Sequence, residues 1–401
     1  MRQAFSASAS LSLCLLVSGF VASAENPHAD VKHAEKHDVS PPLKEIPPVP
    51  EPPGPPHELR PLRLVPRQPS GAPQQDTALQ SAAAPLVSTT AGLNFAGVGN
   101  GFTGPQGAYS DVTAPPDTNG AAGVTQYVQW VNTSFAIFDK SGNPILGPIT
   151  GNTLWSGFGG PCESNNDGDI MVKFDRAAGR WFFSQLAVSG GPPYYQCIAV
   201  STGIDATGSY NRYAFSFTNL NDYPKWGIWP DAYYLSFNQF QGNTFLGAEA
   251  CAVDRNQMLS GGPATIHCFT LNSSLGAILP SDLDGNTPPP AGAPDYFLGI
   301  ASNSLNLWKL HADFVNPNNS TFTGPTNIPV AAYSQACNGG GTCIPQSGTS
   351  QQLDSLGDRP MYRLAYRNFG DHEALVATHS ITSGKSVAVR WYEVRNPSTS
   401  P

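Results

Sequence analysis

The chain has 401 residues with a formal net charge of −8 at pH 7, and only 12% of its residues are charged. It also holds 40 glycines and 38 prolines, a composition that favours many turns and few charged helix faces. An acidic chain without a cluster of lysines and arginines excludes nucleic acid and anionic membranes as partners, because such binding needs a concentrated cationic face.

The N-terminus carries the pattern of an export signal. Arg2 precedes an apolar run from Leu11 to Val21, and small residues follow at Ala22 to Ala24. We predict a signal peptide over residues 1–24 and a mature protein that is secreted, periplasmic or held at the cell surface. No later stretch approaches the roughly 20 consecutive apolar residues of a membrane helix, so membrane insertion is not expected.

Residues 25–89 are predicted to form a Pro-rich, disordered linker. This segment includes PPVPEPPGPP at Pro47–Pro56, few aromatic residues and no apolar periodicity. Such a stretch stays extended and solvated because it has too little apolar surface to bury. We therefore expect a semi-rigid spacer in front of a folded domain over residues 90–401.

Six cysteines remain after removal of the signal peptide, an even number in an oxidising compartment. Six cysteines allow fifteen connectivities, and we predict that neighbours along the chain pair. Zinc is the alternative, but there is no Cys-x-x-Cys spacing and only His267 adjoins a cysteine. No cofactor is expected. The predicted disulfides are Cys162 with Cys197, Cys251 with Cys268, and Cys337 with Cys343.

The folded region is predicted to be all-β. Short runs such as IMVKFD, RWFFSQLAV and AYYLSF are rich in aromatic and β-branched residues, and turn-forming residues bound them. An acidic residue after Gly or Pro opens successive runs at intervals of 52, 62, 64 and 63 residues. This repeat predicts a disulfide-stapled β-propeller of five blades, with six or seven possible and a two-sheet sandwich as the alternative fold. The repeated acids are Asp117, Asp169, Asp231, Asp295 and Asp358.

Two stretches, PPDTNGAAGVTQYVQWVN and GDIMVKFDRAAGRWFFSQLA, resemble motifs in a broad group of exported bacterial propeller-like proteins. The resemblance covers most of the folded region and implies the fold without supplying a function. The chain has no SxDxGxxW motif, which separates it from typical sialidases, and none of their catalytic residues is carried over.

The five repeated acids are the candidate catalytic residues. If each opens the innermost strand of a blade, the five carboxylates converge at the mouth of the central channel. Glycoside cleavage needs such carboxylates, one protonated and another ionised. Glycosidases of the arabinanase and fructosidase type resemble this layout. The alternative is that each aspartate caps a turn with its own side chain.

Two further clusters are candidate ligand-binding sites. The stretch YPKWGIWPDAYY holds Trp226, Trp229 and Tyr233, whose flat faces would suit a sugar ring or the packing between blades. A charged cluster near the C-terminus would suit an anionic sugar or an ion-pair network. Its members are Arg359, Arg363, His372 and Glu373.

Two short loops, NNDGD at Asn165–Asp169 and DLDGN at Asp282–Asn286, resemble parts of calcium loops, so a structural Ca²⁺ is considered beside ordinary Asx-Gly turns. The chain has no Gly-x-Ser-x-Gly, P-loop or HExxH motif. We predict a monomer that binds an extracellular glycan or protein ligand. The alternative is a polysaccharide-active glycoside hydrolase or lyase with carboxylates at the channel mouth.

Overall fold

The computed structural model describes residues 28–50, 57–58, 63–66, 90, 92–110 and 113–399. The predicted signal peptide lies outside these residues. The described part of the chain is all-β, as predicted, apart from two short α-helices and four 3₁₀ turns. The helices are α1 (Pro161–Ser164) and α2 (Arg255–Ser260). The 3₁₀ turns lie at Leu43–Glu45, Gly151–Trp155, Pro317–Asn319 and Ala336–Asn338.

None of the helices in these ranges combines the length and the apolar character that crossing a bilayer requires.

Six short strands precede the main body of the fold. They are β1 (Asp30–His33), β2 (Lys36–Val39), β3 (His57–Glu58), β4 (Thr103–Gly104), β5 (Gly107–Ala108) and β6 (Thr113–Ala114).

The main body contains five antiparallel meanders, here called units I to V. Unit I has β7 (Asn119–Ala122), β8 (Gln126–Val131), β9 (Ser134–Asp139) and β10 (Pro144–Thr150). Unit II has β11 (Met171–Asp175), β12 (Arg180–Ala187), β13 (Tyr194–Ser201) and β14 (Tyr210–Phe217). Unit III has β15 (Leu220–Ile228), β16 (Ala232–Gln241), β17 (Thr244–Asp254) and β18 (Thr265–Thr270).

Unit IV has β19 (Leu279–Asp284), β20 (Asp295–Ala301), β21 (Ser304–His311) and β22 (Thr321–Pro329). A small hairpin follows, formed by β23 (Thr342–Pro345) and β24 (Gln352–Asp354). Unit V has β25 (Pro360–Asn368), β26 (Glu373–Ser383) and β27 (Ser386–Arg395).

The architecture is a β-propeller in which units I to IV pack the face of one sheet against the next. Units IV and V share one seven-stranded sheet, because β19 and β25 pair in parallel from Ser281 opposite Leu364 to Asp284 opposite Arg367. Separate blades do not share a sheet, so the count of five blades stays a prediction.

Adjacent aromatic residues on one strand build the interfaces on both sides of a unit. Phe183 on β12 packs 5.9 Å from Trp130 of unit I, whereas Phe182 packs 4.8 Å from Trp226 of unit III. On β16, Tyr233 likewise packs against Phe182 of unit II, whereas Tyr234 packs against Phe297 of unit IV. Because successive side chains of a strand point to opposite faces, a pair of aromatics in sequence joins three neighbouring units.

The first strands of units III and IV approach closely at Gly227. A Cβ atom at this position would lie 2.0 Å from the carbonyl oxygen of Ser281. Only glycine permits that separation, since the obstacle is backbone rather than a movable side chain. Because Gly227 has no side chain, β15 and β19 can lie side by side.

Residues 30–46 differ from the predicted disordered spacer, whereas residues 51–56, 59–62 and 67–89 of that spacer lie outside the described residues. β1 pairs with β18 of unit III and β2 pairs with β14 of unit II, so residues 30–39 extend two sheets by one strand each. Arg212, which is 2% exposed, forms a bidentate ion pair with Asp38 at 2.8 and 2.7 Å. This segment is ordered because the outermost strand of a sheet has backbone N–H and C=O groups without strand partners, and an extended segment can form hydrogen bonds with them.

Leu43 tests whether this segment belongs to the fold. Its side chain is 1% exposed in the core cluster of units I and II, whereas Val39 in the same segment is 57% exposed. Leu43→Ala is expected to lower the unfolding free energy by about 2–4 kcal/mol, because it leaves a cavity. Val39→Ala is the matched control and should leave the urea midpoint unchanged. Equal midpoints for both variants would mean that the segment is a spacer.

The three predicted disulfides are confirmed. Cys162 bonds to Cys197, Cys251 to Cys268, and Cys337 to Cys343. Such bonds are typical of proteins that fold in an oxidising compartment.

His379 gives unit V a pH-dependent stability. The ring is 0% exposed, lies 4.6 Å from the ring of Tyr333, and its Nε2 is 2.9 Å from the hydroxyl of Tyr392. Burial lowers the pKa of His379 from 6.5 to about 4. Between these values the unfolded chain binds a proton that the folded chain does not, so this stability is complete above about pH 6.5 and is lost as the pH falls towards 4.

The effect amounts to about 3 kcal/mol, since one pKa unit is worth about 1.4 kcal/mol. His379→Phe keeps an aromatic ring at this position and should flatten the pH dependence of the unfolding free energy between pH 4 and 6.5. His311→Gln, on an exposed residue, is the control. An unaltered slope in the His379 variant would contradict the prediction.

Candidate functional site

Two cavities lie along the first strands of the units. The first, called the upper cavity, has a volume of about 530 Å³ and is lined at the beginnings of the first strands of units I to III and V. The second, the lower cavity, has about 560 Å³ and is lined by all five first strands. Asn119 and Tyr362 contribute to both cavities.

Three carboxylates from three successive units line the upper cavity: Asp117, Asp169 and Asp222. Asp117 and Asp169 lie two residues before the first residues of β7 and β11, and Asp222 lies on β15. Their surroundings differ, because Asp117 is exposed, Asp169 is half-buried and Asp222 is 8% exposed. Carboxylates in unlike environments can divide the roles of proton donor and ionised partner.

Hydrogen bonds to neighbouring backbone fix the loops that carry these acids. Asn132, between β8 and β9, donates its amide N–H to the oxygen of Pro116 at 2.8 Å and its Nδ2 to the oxygen of Pro115 at 2.5 Å. Asp169 Oδ2 accepts from the backbone N–H of Tyr223 at 3.2 Å. Asp169 therefore contacts the residue that follows Asp222, and units II and III meet at the cavity.

The upper cavity concentrates left-handed backbone at residues that are not glycine. Asp117, Asn132, Asp169, Tyr223 and Leu356 have φ values of 40°, 47°, 47°, 60° and 46°, and all five line the cavity. Such conformations are uncommon for side-chain-bearing residues, above all for tyrosine and leucine, and cost about 1–3 kcal/mol each. Strain collected in one place is typical of functional sites.

Two cations lie over the ring of Tyr223. Lys225 Nζ is 3.8 Å and Arg359 Cζ is 4.5 Å from the ring centre. The guanidinium of Arg359 is fully buried, and it pairs with Asp358 at 2.7 and 2.8 Å and donates to the oxygen of Arg63 at 2.8 Å. Unit V and the N-terminal segment thus hold Tyr223, which in turn contacts Asp169.

A chain of ion pairs occupies the lower cavity. Lys173 Nζ is 2.6 Å from Asp282 Oδ2, to which Arg363 Nε also donates at 2.8 Å. Arg363 pairs in addition with Asp284 at 2.6 Å. Burial opposes the charge of Lys173, but the carboxylate of Asp282 outweighs it and raises the pKa of the lysine. The cations and carboxylates neutralise one another across units II, IV and V.

The predicted convergence of the five repeated acids is wrong for three of them. Asp231 and Asp295 lie at the second strands β16 and β20, not at first strands. Asp295 is 0% exposed and accepts from Ser281 Oγ at 2.9 Å, and Asp231 accepts from the hydroxyl of Tyr234 at 3.1 Å. Burial raises the pKa of both carboxyls, that of Asp295 well above its ordinary value.

Asp358 precedes the first strand β25. Its carboxylate forms an ion pair with Arg359 and accepts a hydrogen bond from the backbone N–H of Val65 at 2.9 Å. Only Asp117 and Asp169 of the five line the upper cavity. Asp231, Asp295 and Asp358 bind Tyr234, Ser281 and Arg359, and they do not line this cavity.

The aromatic candidates lie in the core. Trp226 and Tyr233 are 0% exposed, and they donate to Ser184 Oγ at 3.1 Å and to Asp175 Oδ2 at 2.9 Å. Trp229 is 1% exposed and forms part of the wall of the lower cavity. The same residue types that bind sugars here join the units.

The charged candidates are dispersed. Arg359 is buried beside Asp358, whereas Arg363 belongs to the lower cavity. His372 lies in a turn, with its Nδ1 2.8 Å from Asp371. Glu373 is 8% exposed and accepts from Ser398 Oγ at 2.6 Å. These side chains do not form one anionic-sugar pocket.

Sequence reasoning missed Asp222 and assigned Asp282 to a calcium-like loop, whereas the two residues lie on the first strands β15 and β19. Pro224 within β15 argues against a strand, yet the strand continues across an irregularity between Asp222 and Lys225. The run SDLD in β19 lacks aromatic and β-branched residues. For Asp222, the sequence signal is that Asn221 and Asp222 stand directly before the aromatic run YPKWGIW.

The carboxylates of the two calcium-like loops have protein partners. Asp167 accepts from the backbone N–H groups of Val188 and Ser189 at 2.6 and 2.7 Å. Asp282 and Asp284 belong to the ion pairs of the lower cavity. Calcium binding at these loops stays a prediction from the sequence.

No protein-family model and no curated protein matches the chain. Among solved structures, a GH43 β-1,3-galactosidase aligns at a TM-score of 0.33 and 10% identity, over 73% of this chain and 58% of the other. The chain thus spans little more than half the length of that structure.

A GH43_1 enzyme from Xanthomonas citri aligns at a TM-score of 0.30 and 10% identity, over 69% of this chain and 87% of the other. A family 117 glycoside hydrolase from the marine bacterium Zobellia galactanivorans aligns at 0.31 and 6%, over 70% and 84%. At these scores we infer nothing about activity from the likeness.

Proposed function

We propose that the protein is a glycoside hydrolase that cleaves a neutral polysaccharide in the upper cavity. The observation that carries this proposal is that Asp117, Asp169 and Asp222 come from three successive units to the wall of one cavity. Hydrolysis of a glycosidic bond needs one carboxyl that protonates the leaving oxygen and one carboxylate that attacks or activates water. Three acids supply both roles and leave one to orient the others.

The size of the cavity supports this proposal. A volume of about 530 Å³ lies within the roughly 300–1,000 Å³ of sites that hold small ligands, so it has room for sugar residues. The strained backbone at Asp117 and Asp169 is a second support, since conformations that cost free energy persist where geometry is needed for function.

The charges of the cavity favour a neutral substrate over a uronate. Among the described residues of its wall, Lys225 is the only cation beside five aspartates. An anionic sugar is ordinarily held by arginine or lysine forks, and Arg359 is already committed to Asp358. A lyase acting on uronates is therefore less suited to this cavity than a hydrolase.

The test is to incubate residues 25–401 with a panel of neutral and uronate-rich polysaccharides. New reducing ends and retention on immobilised polysaccharide are both measured. We expect cleavage within the neutral set and none among the uronates. Retention without cleavage would replace this proposal with a glycan-binding role, and the absence of both would overturn it.

A further inference from the structure

A long excursion between units IV and V reaches the wall of the upper cavity. It runs from the end of β22 to the start of β25 and contains the hairpin β23–β24 and the Cys337–Cys343 disulfide. Three of its residues line the cavity: Thr342 at the start of β23, Asp354 at the end of β24, and Leu356. We call residues 337–356 the rim hairpin.

The rim hairpin is held by its disulfide loop and not by a hydrophobic core. No described core cluster contains any of its residues, and every residue from 345 to 354 is exposed. With so little apolar surface buried, an isolated two-stranded hairpin is only marginally stable in water. Its position must depend on the covalent bond and on local hydrogen bonds.

The disulfide loop packs on the residues that enter the cavity. The carbonyl oxygen of Ala336 accepts from the N–H groups of Gly339 and Gly340 at 2.9 and 3.1 Å, and that of Gly341 accepts from Ser355 N at 3.1 Å. A Cβ on Gly357 would lie 2.4 Å from the oxygen of Ala336. Leu356, between Ser355 and Gly357, is thus fixed in its left-handed conformation by the loop closed by the disulfide.

This disulfide differs from the other two in its access to solvent. Cys337 and Cys343 are half-buried, whereas the remaining four cysteines are 0–1% exposed. Thiol–disulfide exchange requires that a thiolate reach a sulfur atom, so exposed disulfides are the labile ones. A mild reductant should therefore act on this bond first.

We propose that the rim hairpin is the substrate-specificity element of the upper cavity, and that the Cys337–Cys343 disulfide sets its position as a redox-sensitive clamp. This inference rests on the proposed glycoside hydrolase function. Dithiothreitol supplies two electrons and two protons: its thiolate attacks one sulfur, the bond between the two cysteines breaks, both leave as thiols, and the reagent closes to a cyclic disulfide. The freed loop then withdraws Thr342, Asp354 and Leu356 from the substrate.

The experiment treats the folded protein with dithiothreitol without denaturant and alkylates the free thiols. Mass spectrometry should find label on Cys337 and Cys343 and none on the four buried cysteines. Reduction should raise KM for the cleaved polysaccharide about tenfold, the order expected for lost contacts in one part of a pocket. Because the acids lie on units I to III, kcat should stay unchanged.

A Cys337→Ser/Cys343→Ser variant is the matched control. It should show the raised KM without reductant and should not respond to dithiothreitol, whereas a general loss of folding would lower kcat in both samples. Label on the buried cysteines, or an unchanged KM after selective labelling, would overturn this inference and leave the proposed function intact. A protein that neither binds nor cleaves any polysaccharide in the panel would overturn both.

Discussion

Asp169→Asn is expected to lower kcat on the cleaved polysaccharide about a thousandfold, the effect of removing a carboxyl that transfers protons or attacks in the transition state. Of Asp117→Asn and Asp222→Asn, the variant of the second catalytic carboxyl should lose a similar factor, and the variant of the acid that orients the others should lose less. Stopped reducing-end assays measure kcat. Circular dichroism of each variant checks that the fold is intact, since Asp169 also accepts a hydrogen bond from Tyr223.

Asp231→Asn is the matched control for this series. Asp231 has the same side chain and the same position in the sequence repeat, but its partner is the hydroxyl of Tyr234 at β16. Because burial already raises the pKa of Asp231, an uncharged amide should be tolerated and kcat retained. A loss of activity in Asp231→Asn with full activity in Asp169→Asn would reverse the assignment of the site. In the expected outcome, azide rescue of the inactive variants identifies the carboxylate that attacks or activates water.

Asp358→Asn should reduce stability by about 3–5 kcal/mol, the range measured when one partner of a buried ion pair is removed. The side chains of Asp358 and Arg359 are both 0% exposed, so the substitution would leave a guanidinium without its counter-charge in the core. The backbone N–H of Val65 would also lose a carboxylate acceptor. Urea unfolding followed by tryptophan fluorescence measures the change.

A double variant separates the ion pair from simple packing. Asp358→Asn combined with Arg359→Met removes both charges and should recover much of the lost stability, because no uncompensated charge remains. Glu393→Gln, which breaks the exposed pair with Arg395, should leave the midpoint unchanged. If the double variant is as unstable as the single one, the pair does not account for the loss.

The Asp358–Arg359 pair also links stability to the site. Arg359 lies over the ring of Tyr223, whose N–H bonds to Asp169. Residues of several units therefore position the acids of the upper cavity. A loss of the pair should therefore weaken activity before the protein unfolds.

The all-β class and the three disulfides could be predicted from the amino-acid sequence. Strands are short and their side chains alternate, so the pairs Phe182 and Phe183, and Tyr233 and Tyr234, indicate sheets that are buried on both faces. The six cysteines pair with their neighbours along the chain, as their spacing predicted. These features depend on local chemistry, which a sequence displays directly.

Which carboxylates line one cavity could not be predicted from the sequence, because it depends on how the strands are ordered in space. The aromatic runs at Asp231 and Asp295 form second strands of their units. The first strand β15 contains a proline and the first strand β19 contains a polar run, so neither sequence resembles a strand. The pairing of residues 30–39 with two outer strands was equally hidden, because an edge accepts any extended backbone. Which distant segments become neighbours depends on the register and order of whole sheets, and no short stretch of sequence contains that information.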